Sequence, residues 1–223
     1  AGKSGAALAP VVSSICKEQN KNVLSFAIMP FKFEKNRIFQ SGISLKRLKM
    51  NSDSTIIIDN DAILDSNPDF TTERCYDVTN NAIKCLATSI KSSSLTDDTN
   101  IMSTSRSTEN IEDSVKDSIK MLYEDAPPNS IKRSMLYVYG AEKIPVGVIN
   151  SISNILGGIF DEENSQVDMS TSGNTNVVLL SAIAGETRFD KYDPLGMISK
   201  DKTLDWDDPE TSFNCELDLP QIE

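Results

Sequence analysis

Three observations predict an α/β fold. Short apolar runs of strand length recur, amphipathic segments of helix length lie between them, and polar or proline-containing breaks mark the joins. Val23-Leu24-Ser25-Phe26-Ala27-Ile28-Met29 is nearly continuous in apolar character. A run of that kind suits a parallel strand buried on both faces. Helix followed by strand recurs at 37–50 and 54–58, the pattern of layered α/β domains.

In chain order, residues 5–19 form the first expected helix, with Leu8, Val11, Val12 and Ile15 on one face. Asn20 to Asn22 end it, and Pro30 closes the strand that follows. Asn67-Pro68 breaks the chain before a long helix at about 71–91. There Val78, Ala82, Ile83, Leu86 and Ile90 recur at spacings of three and four. Residues 92–100 are polar and mark the expected domain boundary. Ile111, Val115, Ile119 and Leu122 define another amphipathic helix, for which Ser107 or Thr108 would be the N-cap. Pro127-Pro128 is a turn and Met135–Tyr139 a strand. A helix opened by Pro145 should run to Leu156 and stop at Gly157-Gly158. Val177-Val178-Leu179-Leu180 is a final buried strand. The tail from Tyr192 is acidic, holds the only tryptophan, Trp206, and is expected to be disordered.

The 223 residues carry a net charge of -11. That acidity argues against nucleic acid or an anionic membrane as a direct partner. No apolar run approaches the roughly 20 residues of a membrane span. The four cysteines, Cys16, Cys75, Cys85 and Cys215, are scattered, as expected of reduced thiols in a cytoplasmic protein. There is no histidine, which excludes a Ser-His-Asp or Cys-His nucleophile and any His-ligated metal within these residues.

The chemistry concentrates in the first 90 residues. Gly2-Lys3-Ser4-Gly5-Ala6-Ala7 leads into the apolar first helix. Backbone N–H groups converge at such a helix N-terminus and favour an anion. Pro30-Phe31-Lys32-Phe33-Glu34 and Arg37 follow. Next come Ile56-Ile57-Ile58-Asp59-Asn60-Asp61-Ala62-Ile63, then Tyr76 with Asn80 and Asn81. In this order the set resembles the tubulin/FtsZ family of polymerising GTPases, densely over residues 1–90 and loosely to about residue 185. The phosphate-loop signature of that family, G-G-G-T-G-[ST]-G, is degenerate here. Lys3 stands for a Gly, Ser4 for Thr, and Ala7 for the last Gly. A rival reading takes the opening letters as the end of a P-loop, with Lys3 on the phosphates and Ser4 on Mg²⁺.

The resemblance implies the rear of a parallel-sheet GTP-binding domain at 1–72 and a central helix with linker at 73–100. It further implies a small α/β domain at 101–190 and an acidic tail at 191–223. The opening strands of the nucleotide sheet are expected to precede Ala1. Gly2, Lys3, Ser4, Gly5 and Ala6 would cradle phosphates. Glu34 and Arg37 would contact ribose and phosphates, although one residue fewer separates them than in the bacterial pattern. Asn60 would bind the guanine and ribose region, and Tyr76 would stack on the base. Asn80 matches the tubulin-type Asn, and Asn81 stands where FtsZ carries an Asp. An Asn pairs with guanine more weakly than a carboxylate does. The implied ligand is GTP or GDP, with Mg²⁺ carried by the nucleotide and no metal site of the chain's own. The implied partners are further copies of the chain in a head-to-tail filament and an anchoring protein at the tail, with no direct membrane insertion. The family's catalytic segment, N-x-D-x-x-D after the central helix, has no counterpart in order and spacing. Asp97 and Asp98 are the only carboxylates between Ser92 and Ser105. The expected role is cell division or cell shape. The alternatives are a working GTPase, a GTP-binding scaffold that does not hydrolyse, and an unrelated P-loop NTPase.

Overall fold

The computed structural model describes residues 2–90, 99–105, 110–140, 144–160, 164–170 and 176–192. The fold is α/β, built on one six-stranded sheet of order β1-β2-β3-β6-β4-β5. The helices are α1 (Lys3–Glu18), α2 (Lys35–Met50), α3 (Asn60–Ser66), α4 (Thr72–Ser89), α5 (Ile111–Asp125) and α6 (Val146–Phe160). The strands are β1 (Leu24–Met29), β2 (Ser54–Asp59), β3 (Thr99–Thr104), β4 (Ile131–Tyr139), β5 (Ser165–Ser170) and β6 (Asn176–Ile183). β1, β2 and β3 are parallel, β6 runs antiparallel to both β3 and β4, and β5 returns parallel to β4.

The register assigns the two faces. Ile57 and Ile101 are paired on one face, Ile56, Ile58 and Met102 on the other. α5 and α6 pack on the first face through Val115, Ile119, Leu122, Ile152 and Leu156. α2 joins them there through Leu45, with Met29 and Phe189. α4 covers the opposite face through Ala82 and Leu86. α2 and α4 lie on opposite faces of the sheet, and open α/β sheets bind ligands beyond the carboxyl ends of their strands. A third cluster closes that end: Phe31, Ala62, Ile63, Cys75 and Met121.

Local chemistry explains most joins. Asn20 takes a positive φ of 56° as α1 ends, and Asn tolerates that region better than most residues. Thr71 caps α4, its Oγ1 accepting from the Arg74 N–H at 3.2 Å. Two expectations are corrected, and one strand was not foreseen. α5 is capped by Asn110, whose Oδ1 accepts from the Glu112 N–H at 3.0 Å; Ser107 and Thr108 lie outside the described residues. α6 does not stop at Gly157-Gly158 but runs to Phe160, because burial of Ile152, Leu156 and Phe160 outweighs a glycine cost of about 1 kcal/mol each. β5 was not legible, since Ser165-Gln-Val-Asp-Met-Ser is a half-exposed edge strand with little apolar alternation. Cys16, Cys75 and Cys85 are free thiols. Cys215 and the rest of the tail beyond Tyr192 lie outside the described residues. No described helix is long and apolar enough to cross a membrane.

The β1 edge has an apolar neighbour. α1 lies along α2 there, and Leu8, Val11, Val12 and Ile15 are 48–61% exposed. A groove of about 430 Å³ runs between α1 and β1, past Leu8, Val12, Cys16, Leu24 and Phe26. A sheet edge beside an apolar stripe is prone to self-association. Sedimentation velocity of the 223-residue chain is predicted to show association that rises with concentration and falls in a Leu8→Lys, Val12→Lys double variant. A monodisperse wild-type chain would show that this surface is inert.

Candidate functional site

The helix N-terminus is the first component. Gly2 is the N-cap of α1 in extended backbone, with no side-chain capping bond and no acidic residue in the first turn. The Ala6 N–H donates to the Gly2 carbonyl at 2.9 Å. Lys3, Ser4 and Gly5 therefore present the helix's opening N–H groups, and all three residues are exposed. The expected Gly-rich loop followed by a helix from residue 5 is thus a cap and first turn starting at Lys3. Nothing in this stretch forces a positive φ on Gly2, whose φ is -76°. α1 spans about 24 Å and β1 about 20 Å, by 1.5 and 3.3 Å per residue. Because they run in opposite directions, the α1 N-terminus lies at the end of the sheet where β1 and β2 finish.

The loop after β1 supplies the second component. Phe31 is 1% exposed and anchors the loop in the cluster formed with Ala62, Ile63 and Cys75. Its N–H donates to Glu34 Oε2 at 3.3 Å, while Glu34 Oε1 accepts from Arg37 Nη1 at 2.6 Å. Tyr76 meets Phe31 edge to face at 5.6 Å, and Phe33 stacks on Phe31 at 5.0 Å. Burial raises the Tyr76 phenol pKa, the Glu34 charge raises it further, and Arg37 opposes both. Tyr76 therefore stays a neutral aromatic at physiological pH. Glu34, Arg37 and Tyr76 are brought together around Phe31. Phe33 and Tyr76 keep 61% and 38% of their surface exposed, as a stacking platform requires.

The third component is the end of β2. Asp59 caps α3 by accepting from the Asp61 and Ala62 N–H groups at 3.0 and 3.2 Å. Asn60 is fully buried, and its Oδ1 accepts from Thr79 Oγ1 at 3.0 Å. Its Nδ2 has no hydrogen-bond partner. A buried donor without a partner costs about 1–3 kcal/mol, so this nitrogen is where an incoming acceptor gains most. Tyr76, Thr79 and Asn80 share one face of α4 at spacings of three and four. Asn80 and Asn81 are both exposed, but Asn81 is turned off that face by the helical period. Asp97 and Asp98 lie outside the described residues.

Sequence reasoning missed four residues here. Thr79 fixes Asn60 across 19 positions, and only the face it shares with Tyr76 hinted at it. Phe31 lies beneath the aromatic platform rather than in it. Asp59 has the form of an N-cap, an Asp directly before a helix, and was legible as one. Arg188 gave no signal. It comes from the short 3₁₀ turn Arg188–Tyr192 to pair with Asp59 Oδ2, and its Nε lies 3.4 Å from Asp125 Oδ1. Asp59, Asp61 and Asp125 are all buried, so one arginine faces three acidic side chains. Burial pushes Asp125 up to about 9, with the Asp59 charge adding and Arg188 opposing. Burial also raises Asp61, against a bond from the Lys32 backbone N–H. The described residues hold no group of three or more His, Cys, Asp or Glu placed for a metal ion.

The chain is similar to known proteins in sequence and in fold. Residues 1–68 match the model of the Tubulin/FtsZ family, GTPase domain. Cell division protein FtsZ 2 of Halobacterium salinarum is 35% identical over 77 residues, which are 34% of this chain and 20% of that protein. The match thus spans about a fifth of that relative. An empty FtsZ dimer from M. jannaschii superposes with a TM-score of 0.63 at 20% identity, covering 82% of this chain and 60% of that one. CetZ2 from Haloferax volcanii, solved as a GTPγS-bound protofilament, gives 0.57 at 16% identity, covering 88% and 67%.

Two outcomes follow from the site's bonds. Thr79→Val should lower stability in urea unfolding by about 1–3 kcal/mol, because a buried Asn60 acceptor is left unmet, while Thr79→Ser should stay near wild type. Equal loss in both variants would remove the Thr79–Asn60 bond from the account. Asp125 holds a proton in the folded state that the unfolded chain releases above its ordinary value of 3.8. Its contribution is therefore fully present below about 3.8 and is lost as pH rises through about 9. Between about pH 5 and pH 8, wild type should lose stability relative to Asp125→Asn. Parallel pH curves would mean that Asp125 is ionised when folded.

Proposed function

We propose that this chain, whose residues 1–68 match the Tubulin/FtsZ family GTPase domain, is a member of that family and binds GTP and GDP beyond the carboxyl ends of β1 and β2. We further propose that copies assemble head to tail into filaments serving cell division or cell shape. The observation that carries the binding reading is the unpartnered Nδ2 of buried Asn60, held in place by Thr79 beside Tyr76. The parts fit a purine nucleotide in kind. The Lys3, Ser4 and Gly5 amides and the α1 dipole favour phosphate. Arg37, paired with Glu34, would add positive charge toward the phosphates, and Glu34 would offer a carboxylate to sugar hydroxyls. Tyr76 offers a flat face to the base, with Phe33 alongside. Asn60 Nδ2 donates to an acceptor, and Asn80 reads a base edge. Mg²⁺ would arrive with the nucleotide. The family match sets the P-loop alternative aside.

One observation favours a binding and scaffold role over rapid turnover. α4 ends at Ser89 and β3 begins at Thr99, so the join is short. Its only carboxylates are Asp97 and Asp98. Without a carboxylate placed at the attacking water, positioning and charge stabilisation worth several kcal/mol of barrier are missing.

Titration with a fluorescent GTP analogue tests the pocket. Asn60→Ala should weaken binding about tenfold, the loss of one buried hydrogen bond. Unchanged affinity removes Asn60 from the site, and tighter binding of ATP than GTP refutes guanine preference. GTP should raise light scattering as filaments form, with phosphate release near background at all protein concentrations. Hydrolysis that rises with concentration and survives both Asp97→Ala and Asp98→Ala would show that the catalytic acid lies elsewhere.

A further inference from the structure

Asp59 serves two structures at once. Its carboxylate caps α3, the helix that begins at Asn60, and accepts from the guanidinium of Arg188. Arg188 reaches Asp59 from the other end of the described chain, 129 positions away. It lies in a turn held by contacts of its own. Phe189 is 1% exposed against Met29, Leu45 and Ile57. Tyr192 meets Phe189 edge to face at 5.6 Å. Asp190 accepts from the Thr187 N–H and hydroxyl at 2.6 and 2.9 Å and pairs with Lys49 at 3.6 Å. The turn also sits directly on α2 at Gly42. A Cβ at that position would meet the Tyr192 carbonyl carbon and Cβ at 2.8 Å.

The charges make the docked arrangement specific. Around Arg188 stand Asp59 from β2, Asp61 from α3, Asp125 from α5 and Tyr192 from the turn itself. Glu124 bears on Asp125 from the same helix, and Lys32 bears on Asp61 from the loop after β1. If Arg188 withdraws, Asp59 loses its principal counter-charge. Asp59 must then rearrange toward water or toward a new donor. Either change alters the cap that sets the first turn of α3. Asn60 is the first residue of that turn.

We propose that Arg188 is a positioning residue for the nucleotide pocket: by holding Asp59, it fixes Asn60, so that the pocket is formed only while the Arg188–Tyr192 turn is docked on α2. This rests on the reading above that Asn60 belongs to the pocket. It ties an element from the far end of the described chain to the ligand site through two side chains.

Two variants of the full chain test it by different routes. Arg188→Lys keeps the charge but loses the fork that spans Asp59 and Asp125. Gly42→Ala leaves every charge in place and pushes the turn off α2. The primary readout is the side-chain ¹⁵N–¹H signal of Asn60 without nucleotide. The second is affinity for a fluorescent GDP analogue. Both variants should move the Asn60 signal in the same direction and weaken GDP roughly tenfold, as a displaced contact does. The proposal is overturned if Tyr192 signals report an undocked turn in Gly42→Ala while the Asn60 signal and GDP affinity stay at wild-type values. It is equally overturned if Arg188→Lys folds and leaves both unchanged. If wild type binds no guanine nucleotide but the Asn60 signal moves in both variants, the pocket reading fails and the positioning role of Arg188 stands.

Discussion

The structure turns on how the chain leaves β2. Ser54–Asp59 is buried along its whole length, and its last residue is a charged one at 3% exposure. A carboxylate there is tolerable only if its oxygens are satisfied. It is satisfied by two N–H groups of α3 and by Arg188. Asp59 thereby stops the strand, starts the helix and draws in the turn that follows the final strand. Asn60 inherits its position from that arrangement and has only one side-chain group to spare, its Nδ2.

Around this point the sheet sorts the rest. β1, β2 and β3 are parallel, so their carboxyl ends share one edge of the molecule. α1 returns its N-terminus to that edge, and the loop after β1 carries Glu34 and Arg37 there. α4 passes over it with Tyr76, Thr79 and Asn80 on a common face. Residues as distant as Phe31 and Tyr76 therefore meet through topology. The continuation through β6, β4 and β5 adds no side chain to this edge among the bonds described. Its contribution is rigidity, through the core of α5 and α6, and delivery of Arg188.

Much of this was legible in the sequence, for identifiable reasons. β1, β2, β4 and β6 are apolar runs of strand length, although β1 lies at the sheet edge and is only half-buried rather than covered on both faces. α4 and α5 show clean helical periodicity, and the order of Pro30–Glu34, Asn60 and Tyr76 carried the family resemblance. What was not legible depended on distant contacts. β5 is an edge strand whose side chains face water as much as core. α6 passes two glycines because a buried face overrides local propensity. The apolar stripe of α1 was legible as one helical face, but not that it is largely exposed. Thr79 and Arg188 act across 19 and 129 positions, which no local pattern encodes.

The central claim is that the spare donor of Asn60 is a ligand contact rather than an accident of packing. The most direct test follows the Asn60 side-chain amide by NMR as GDP is added to the chain. A shift of both Nδ2 protons with slowed exchange, alongside shifts of the Lys3, Ser4 and Gly5 amides, is the predicted result. Saturating GDP that perturbs other residues while leaving Asn60 Nδ2 unshifted would contradict it.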